Sequence, residues 1–479
     1  MVALFAVNLG RMSEHYDAII VGAGQAGPAL AGRLTGAGMR VALVERQLFG
    51  GTCVNTGCTP TKTLIASARI AWQARTARDY GIDAGEVAVD WARVRARKDE
   101  VVQQSRGGLE QWLRGMHGLT VIQAHARFEA PDRLRAGARR LSAARIFLNV
   151  GGRAHVPDFP GVDEVPYLTN GSLLDIDAIP EHLIVVGGSY IGLEFAQMFR
   201  RLGARVTVIE KSSRLIGRED ADISASIQEF LEAEGIEFRL HAECIHLRSA
   251  QARVVVGVDC RSGAPVVDGS HVLLAVGRRP NTDDLDLDTA GIRTDAAGYI
   301  VVDDELRTSV PGIWALGDCN GRGAFTHTAY NDHQIVADNL LAGRSRRVSD
   351  RIACYALYVD PPLGRVGLTE AQARAEGRRL RIAVRPMTRV SRAVEKGETR
   401  GFMKVMVDAD SEQIVGAALL GVGADESVHC ILDVMSAGVR YQVLRDTMHI
   451  HPTVSELVPT LLGELPQVAG ATGPRAARS

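Results

Sequence analysis

Membrane-spanning, nucleic-acid-binding and disulfide-framework signatures are all missing from the sequence. No apolar run reaches the roughly 18 residues that a transmembrane helix needs, so we expect no membrane segment. Lys and Arg number 55 against 56 for Asp and Glu, and no basic stripe is present, so nucleic acid is not an expected partner. The seven cysteines are odd in number and scattered, which argues against the disulfide framework of a secreted protein.

The two ends of the chain carry no targeting pattern. Residues 1–11 are apolar but lack a basic region and a small-residue cleavage site, so we expect no signal peptide and a cytoplasmic protein. Met12 lies just before the first predicted strand, and we expect it, rather than Met1, to be the effective start. The last residues, 467–479, are rich in Gly, Ala, Pro and Arg and predict a flexible tail.

A first βαβ unit begins near the N-terminus. An apolar strand at 17–21 leads into a glycine turn at 22–27 and a helix at 28–38, and a second strand at 41–44 ends at Glu45. In such units the glycines let the backbone approach a pyrophosphate at the helix N-terminus, and the acid binds a ribose hydroxyl. The predicted dinucleotide contacts here are Gly22, Gly24, Gly27 and Glu45.

A second βαβ unit follows about 165 positions later. A strand at 183–186 leads into a turn at 187–192 and a helix at 193–202, and a strand at 206–209 ends at Glu210. Two units predict an α/β protein with two Rossmann-like dinucleotide-binding domains. The predicted contacts of this turn are Gly187, Ser189, Tyr190, Ile191, Gly192 and Glu210.

The second turn departs from the glycine pattern and bears on the choice of nucleotide. Ser189 stands where the second glycine is usual, which crowds the pyrophosphate but adds a hydrogen-bond donor. A carboxylate at Glu210 repels a 2′-phosphate and favours NADH. Lys211 and Arg214 could neutralise such a phosphate, so NADPH remains the alternative.

The sharpest motif is a pair of cysteines, Cys53 and Cys58, in the segment Gly-Gly-Thr-Cys-Val-Asn-Thr-Gly-Cys-Thr-Pro-Thr-Lys that ends at Lys62. Two cysteines at this spacing can close a disulfide across one turn at a helix start, where the helix dipole favours thiolates. Lys62 adds positive charge one turn later. A zinc site would need two further soft ligands at short spacing, and none follows, so we expect no metal site.

In this order of motifs the chain resembles the class I pyridine nucleotide–disulfide oxidoreductases, the family of dihydrolipoamide dehydrogenase, glutathione reductase and mercuric reductase. The resemblance covers roughly residues 17–465. It implies FAD and NAD(P)H as cofactors and a C-terminal α+β dimerisation domain in a homodimer. Besides the two turns and the cysteine pair, it rests on the motifs Ala275-Val-Gly-Arg-Arg-Pro-Asn281, Ala315-Leu-Gly-Asp318 and His451-Pro-Thr-Val-Ser-Glu456.

The resemblance implies roles for single residues. Cys58 resembles the cysteine that faces the flavin as a charge-transfer thiolate, and Cys53 resembles the interchange cysteine that meets the substrate. Tyr190 resembles the ring that covers the flavin until nicotinamide displaces it. The other implied roles are an ion pair beside the flavin for Lys62 and Glu194, a ribityl contact for Asp318, a flavin-side contact for Arg278, further FAD contacts for Thr52 and Ala126, and an NAD(P) contact for Gly277.

His451 and Glu456 resemble an acid–base dyad that, in the family, reaches the cysteines of the other subunit. A histidine there can take and return the proton of thiol–disulfide exchange near neutral pH. His449 has no such acid and is expected to be structural.

The family resemblance also suggests where the domains begin and end. The expected division is an N-terminal extension at 1–15, an FAD-binding domain at 16–155 and 282–350, an NAD(P)-binding domain at 156–281, a dimerisation domain at 351–466 and the tail at 467–479.

The final electron acceptor is left open by the motifs. The segment Thr56-Gly-Cys-Thr-Pro-Thr-Lys62 is similar to the corresponding segment of a mercuric-reductase-like branch of the family. Some members of that branch resemble copper(II) reductases. Mercuric reductases carry a vicinal cysteine pair near the C-terminus, whereas no cysteine follows Cys430 here. Our first hypothesis is reduction of a small disulfide or a thiophilic metal ion, Hg(II) or Cu(II). The second is dihydrolipoamide dehydrogenase, and the third is a non-catalytic, redox-responsive flavoprotein that acts as an interaction module.

Overall fold

The computed structural model describes residues 13–251, 253–259 and 265–467. Met12 and the rest of residues 1–12, Cys260 and the predicted tail from residue 468 lie outside this range. No helix within the described residues has both the length and the apolar character that crossing a bilayer requires.

The chain combines helices with runs of consecutive strands. The first third contains β1 (Glu14–Tyr16), β2 (Ala18–Val21), α1 (Ala26–Gly36), β3 (Val41–Glu45), α2 (Gly51–Asn55), α3 (Cys58–Arg75), α4 (Trp91–Gly115), β4 (Leu119–Gln123), β5 (Ala126–Ala130), β6 (Arg133–Ala136), β7 (Arg139–Ala143), β8 (Ile146–Leu148) and β9 (Gly152–Ala154). The middle third contains β10 (Tyr167–Leu168), β11 (His182–Val186), α5 (Tyr190–Leu202), β12 (Arg205–Ile209), α6 (Ala221–Ala233), β13 (Glu237–Arg239), β14 (Glu243–Ala250), β15 (Arg253–Asp259), β16 (Val266–Gly269), β17 (His271–Leu274) and β18 (Arg278–Pro280).

The last third begins with a strand and a long helix and continues as strands and short helices. It contains β19 (Ile313–Ala315), α7 (Thr326–Ala342), β20 (Cys354–Leu357), β21 (Leu363–Gly367), α8 (Glu370–Ala375), β22 (Leu380–Pro386), α9 (Ser391–Glu395), β23 (Phe402–Asp408), β24 (Ile414–Leu420), α10 (Ala424–Ser427), α11 (His429–Ser436), α12 (Gln442–Arg445) and α13 (Leu457–Gly463).

Two five-stranded parallel sheets have matching strand orders. The first is β19-β8-β2-β3-β4 and the second is β10-β17-β11-β12-β13. Their central strands β2 and β11 are buried along their whole length, as expected for parallel strands covered on both faces. Each central strand leads into one of the glycine turns. The predicted α/β class with two Rossmann-like units is therefore confirmed.

The C-terminal part is an antiparallel sheet of order β20-β21-β24-β23-β22, with α10, α11 and α13 packed against it. It confirms the predicted α+β module. The core of this module is an apolar cluster that includes Val405, Ala417, Ile431 and Leu461.

Two helices begin earlier than expected. Helix α1 begins at Ala26 and α5 at Tyr190, two and three positions before the predicted starts, because the helix begins inside the glycine turn. Between α3 and α4 the chain forms a short 3-10 turn and the irregular residues 81–90.

Candidate functional site: a cysteine pair between two nucleotide turns

The first glycine turn is organised around Glu45 at the end of β3. Its carboxylate accepts hydrogen bonds from the backbone N–H of Ala23 at 2.8 Å and of Gln47 at 2.8 Å. Gly22 adopts φ 103°, and a Cβ at this position would lie 2.2 Å from the carbonyl oxygen of Asn149. The turn thus needs glycine at its first position, and the acid is held at the point where a ribose hydroxyl can reach it.

Asn149, at the end of β8, ties this turn to a neighbouring strand. Its Oδ1 accepts from the backbone N–H of Gly27 at 2.9 Å, and its Nδ2 donates to the carbonyl of Leu316 at 3.0 Å. A Cβ on Gly24 would lie 3.0 Å from the same Oδ1. Sequence reasoning assigned Asn149 no role, although an amide directly after a buried strand beside a glycine turn was the available signal.

The second turn repeats the arrangement with Glu210. Its carboxylate accepts from the backbone N–H of Gly188 at 2.7 Å and of Ser212 at 2.8 Å. Gly187 adopts φ 113°, and a Cβ there would lie 2.5 Å from the carbonyl oxygen of Ala275. In each turn the acid is therefore held by two backbone N–H groups at corresponding positions of the βαβ unit.

The basic residues near Glu210 differ in part from the expectation. Lys211 lines the cavity, as expected. Arg214 turns away and donates to the carbonyl of Gly217 at 3.1 Å, outside the cavity wall. Arg218, which sequence reasoning did not single out, lines the cavity. Among the described residues, Lys211 and Arg218 are therefore the cations of this segment that line the cavity.

The two cysteines face each other across a helix break. Cys53 lies in the short helix α2, whereas Cys58 is the first residue of α3, and both thiols are free. A hydrogen bond from the Cys53 thiol, a second from Thr326 and the charge of Lys62 lower the pKa of Cys58 to about 6. The shared proton and burial raise the pKa of Cys53. Cys58 is therefore the thiolate of the pair near neutral pH, and the N-terminus of α3 adds to this preference.

Thr326 is a contact that sequence reasoning missed. Its hydroxyl lies 3.3 Å from the Cys58 sulfur, and it opens α7 directly after Phe325. The hydroxyl belongs to a segment far along the chain, so no local spacing rule connects it with the cysteines.

The predicted Lys62–Glu194 ion pair is formed beside the cysteines. The Lys62 ammonium lies 2.6 Å from Oε2 of Glu194 and 4.6 Å from the ring centre of Tyr358. The other carboxylate oxygen, Oε1, accepts from the backbone N–H of Tyr358 at 3.0 Å. Glu194 is buried, so its two partners fix it, while Lys62 stays one-third exposed towards the cavity.

On the other side of the cysteines, Arg278 and Asp318 leave polar atoms free for a ligand. Burial raises the pKa of the Asp318 carboxyl, although the facing Arg278, whose Nε lies 3.5 Å away, lowers it. Arg278 donates through Nη2 to the carbonyl of Gly152 at 2.5 Å, while its buried Nε makes no hydrogen bond. A carboxylate and a guanidinium in this condition suit a polyhydroxylated chain such as the ribityl group of FAD.

One continuous cavity of about 1820 Å³ joins these parts. That volume exceeds the roughly 300–1,000 Å³ of a pocket for one drug-sized ligand, so it is large enough for more than one cofactor. Gly27 and Gly192 do not line it, because both are buried in the packing of helix on strand. The predicted residues that do line it are Gly22, Gly24, Glu45, Thr52, Cys53, Cys58, Lys62, Ala126, Gly187, Ser189, Tyr190, Ile191, Glu194, Glu210, Gly277, Arg278 and Asp318.

The His451–Glu456 pair is formed but lies elsewhere. Nδ1 of His451 is 2.9 Å from the Glu456 carboxylate, the imidazole is 74% exposed and the carboxylate only 14%. Among the described residues that line the cavity, neither appears. His449 is held by its Nδ1 against the carbonyl of Ser455 at 2.8 Å, in keeping with a structural part. Within one chain the imidazole of the dyad is thus exposed to solvent.

Comparison with known proteins supplies the family. Residues 16–332 match the model of the pyridine nucleotide-disulphide oxidoreductases, and residues 354–462 match the dimerisation domain of the same family. The chain is 37% identical to a probable pyridine nucleotide-disulfide oxidoreductase, RclA, of Escherichia coli, covering 92% of this chain and 97% of that protein. It is 33% identical to a mercuric reductase of Streptomyces lividans, covering 92% and 94%, and 31% identical to a dihydrolipoyl dehydrogenase of Chlamydia muridarum, covering 93% and 96%.

A solved structure of a related protein has the same fold. The Cu(II) complex of the HOCl-induced flavoprotein disulfide reductase RclA from Escherichia coli superposes with a TM-score of 0.86 at 35% identity, covering 94% of this chain and 99% of that one. Together with the cysteine pair between two nucleotide turns, these matches show that the chain is an FAD-dependent NAD(P)H:disulfide oxidoreductase and belongs to the pyridine nucleotide-disulphide oxidoreductase family.

Proposed function

We propose that this enzyme passes electrons from NADH, through FAD, to a Cys53–Cys58 disulfide and from there to a thiophilic metal ion or a small disulfide. The observation that carries the proposal is the cysteine pair on the cavity wall, with Lys62 on the same wall and the Thr326 hydroxyl 3.3 Å from the Cys58 sulfur, which lower the pKa of Cys58. A pair with unequal thiols is suited to a redox cycle, because one sulfur can stay by the flavin while the other meets the acceptor.

FAD, when bound, would accept a hydride from the nicotinamide and pass the two electrons on to the disulfide. The residues of this chain do the rest. Reduction of the disulfide adds two electrons and breaks its S–S bond, and Cys58 keeps a negative charge that Thr326, Lys62 and the helix start stabilise. Cys53, whose pKa is raised, takes the proton and is the thiol that attacks the acceptor after losing that proton again.

We further propose that two chains form a homodimer in which the dyad of one subunit serves the cysteine pair of the other. Three observations support this arrangement. The C-terminal part matches the family's dimerisation domain. His451 is exposed and outside the cavity of its own chain. Its neighbours Met448 and Ile450 are 95% and 80% exposed, an unusual state for large apolar side chains unless a protein surface covers them.

For the acceptor, we favour Cu(II) or a related thiophilic ion, with Hg(II) as a second ion of the same class. The support is the similarity to RclA, one of whose solved structures is a Cu(II) complex. Within the described residues no group of three or more His, Cys, Asp or Glu side chains is arranged to hold a metal ion. The ion would then meet the cysteine pair itself as a substrate, and each NADH would reduce two Cu(II) to Cu(I).

A disulfide substrate is the second candidate, and the His451–Glu456 pair favours it. Thiol–disulfide exchange needs a proton carrier, and general acid–base catalysis is worth about 10²–10⁴-fold in such steps. A Cu(II) ion takes up electrons and no proton, and its binding to sulfur favours the thiolate without a separate base, so its reduction should depend much less on His451. The dyad therefore separates the two candidates.

The deciding experiment measures NADH and NADPH oxidation by wild-type enzyme and by His451→Ala with lipoamide, glutathione disulfide, Cu(II) and Hg(II). With a metal ion as natural acceptor, that ion gives the highest kcat/KM and His451→Ala retains most of it. With lipoamide as natural acceptor, the variant loses about 10²–10⁴-fold. The flavin should still be reduced by NADH at a near-normal rate in His451→Ala, and slowing of that step would remove the dyad from the proposal. An enzyme that oxidises no nicotinamide with any acceptor would instead support a non-catalytic role.

A further inference from the structure

The short turn that carries Asp318 lies in a narrow space between a strand end and a helix. It is a single 3-10 turn, Gly317–Asn320. Gly317 adopts φ 73°, and a Cβ there would lie 3.0 Å from Nδ2 of Asn149, directly after β8, and 3.2 Å from the Cβ of Ala329 in α7. The turn is therefore packed between the end of β8 and α7.

A buried carboxylate of α7, that of Asp332, makes two hydrogen bonds to this turn. The Asp332 side chain is 2% exposed. Its Oδ2 accepts from the backbone N–H of Gly317 at 2.6 Å and from Nδ2 of Asn320 at 3.0 Å. Asn320, which is also buried, donates the second hydrogen of its amide to the carbonyl of Ala315 at 3.0 Å. One carboxylate oxygen thus holds the first and the last residue of the turn.

The other oxygen of Asp332 is held by a cation from a different part of the chain. Oδ1 accepts from Nη2 of Arg351, which lies just before β20. Nε of Arg351 donates to Oδ1 of Asn331 at 2.7 Å, which fixes the guanidinium. A buried carboxylate with partners on both oxygens has one favoured orientation, because any other would leave its charge uncompensated. Arg351 therefore fixes the orientation in which Asp332 presents Oδ2 to the turn.

The carboxylate of Asp318 is held much less firmly than the turn that carries it. It pairs loosely with Arg278, whose Nε lies 3.5 Å away. Its position therefore depends on the backbone of the turn. Asp318 lines the cavity, whereas Asp332 is not among the described residues that do so. An effect of Asp332 on a bound cofactor would thus be exerted through the turn.

We propose that Asp332 is a positioning residue for FAD, which holds the turn Gly317–Asn320 so that the Asp318 carboxylate meets the ribityl chain. The inference rests on the ribityl contact that the family resemblance implies for Asp318. FAD binding then costs little ordering of the turn, because the turn is already in place. Without the Asp332 carboxylate, two buried donors would lose a charged acceptor, and the cofactor itself would have to order the turn.

The test is equilibrium release of FAD from the holoenzyme on dilution, followed by the rise in flavin fluorescence, in which no turnover occurs. Asp332→Ala should bind FAD about ten- to a hundredfold more weakly, as expected for hydrogen bonds lost to a charged group. Asn320→Ala removes one of the two bonds and keeps the ion pair with Arg351, so it should weaken FAD binding by a smaller factor. This second variant decides the test if Asp332→Ala does not fold.

A double variant separates positioning from general stabilisation of the fold. Asp318→Ala removes the ribityl contact, so the additional loss of Asp332 has no carboxylate left to position. Asp318→Ala/Asp332→Ala should therefore bind FAD within about twofold of Asp318→Ala alone. If the two single losses multiply in the double variant, Asp332 acts on the fold at large and the inference is overturned.

The matched control is Asp338→Ala, which removes another carboxylate of α7. Asp338 is paired with Arg33 at 2.9 Å and with Arg346 at 2.8 Å, and both partners lie outside the turn. Its loss should leave FAD binding as in the wild type. A loss equal to that of Asp332→Ala would contradict the inference.

The outcomes distinguish this inference from the assignment on which it rests. Wild-type FAD binding in Asp332→Ala and Asn320→Ala, together with weaker binding in Asp318→Ala, would overturn the role of Asp332 and leave the proposed function standing. Wild-type FAD binding in Asp318→Ala would overturn the ribityl assignment and the role of Asp332 together.

Discussion

The two glycine turns of this enzyme share a backbone but differ at one position, and the reason lies in the neighbouring strand. In both turns the acid accepts from two backbone N–H groups, and the first glycine lies against the carbonyl that follows a parallel strand. That carbonyl belongs to Asn149 in the first turn and to Ala275 in the second. The side chains of these two residues are what distinguish the turns.

The second position of each turn follows from this difference. The Asn149 side chain bonds Gly27 and occupies the space where a Cβ of Gly24 would point. Ala275 offers no such side chain, and Ser189 adopts φ −112°, which any residue can adopt. We infer that the serine is permitted by the alanine, so the departure from the glycine pattern is no sign of a lost nucleotide site.

Replacement of Gly24 should have the largest effect on this comparison. In Gly24→Ser the new Cβ lies 3.0 Å from Oδ1 of Asn149 and takes room where the backbone approaches the pyrophosphate. Overpacking of this kind costs about 1–3 kcal/mol, so FAD should bind roughly ten- to a hundredfold more weakly. Flavin content after purification and the FAD dissociation constant on reconstitution measure the effect. Full flavin content would show that Asn149 yields to the new side chain.

Neutralising the second acid should have an intermediate effect. Glu210→Gln keeps the shape but removes the charge that repels a 2′-phosphate, so the NADH over NADPH ratio of kcat/KM should fall by about tenfold, as for a lost bond to a charged group. The matched control is Glu45→Gln, which should weaken FAD binding and leave that ratio unchanged. A wild-type enzyme that already prefers NADPH would contradict this assignment and point to Lys211 and Arg218 on the cavity wall.

Converting the second turn to the glycine pattern should change least. Ala275 has no long side chain that could crowd the Cβ of Ser189, and the φ of −112° at this position does not require glycine. Ser189→Gly therefore removes a side chain that the turn tolerates. The cost of glycine flexibility is about 0.5–1 kcal/mol, so the NADH dissociation constant should shift by less than about fivefold. A much larger loss would mean that the Ser189 hydroxyl itself binds the pyrophosphate.

The sequence predicted those parts of the fold and site that depend on local spacing. Glycines at fixed offsets after a buried strand, an acid at the end of the next strand and two cysteines five apart each specify a geometry within one short segment. The two sheets, the two turns and the cysteine pair were all predictable on that basis. The Lys62–Glu194 pair joins two such segments, and it was predicted only through the family resemblance.

Contacts between distant segments were not predictable in this way. The contacts of Thr326 with Cys58 and of Asn149 with Gly24 join residues that only tertiary packing brings together, the first at the start of α7 and the second directly after β8. Arg214 shows the converse case. It is close to Glu210 in sequence, but its side chain turns to the carbonyl of Gly217 instead of the cavity.

The central claim, that Cys58 is the thiolate beside the flavin, is tested most directly by the absorption spectrum of oxidised Cys53→Ser holoenzyme at a series of pH values. Cys58 is then the free partner, and a long-wavelength charge-transfer band should appear without any reductant. The thiolate is the deprotonated form, so the band should grow as the pH rises. Because the serine hydroxyl can donate in place of the Cys53 thiol, and Thr326 and Lys62 remain, the band should reach half its height below the pKa of an ordinary thiol. Cys58→Ser should show no band at any pH. A featureless spectrum in Cys53→Ser, or a band that persists in Cys58→Ser, would contradict the account.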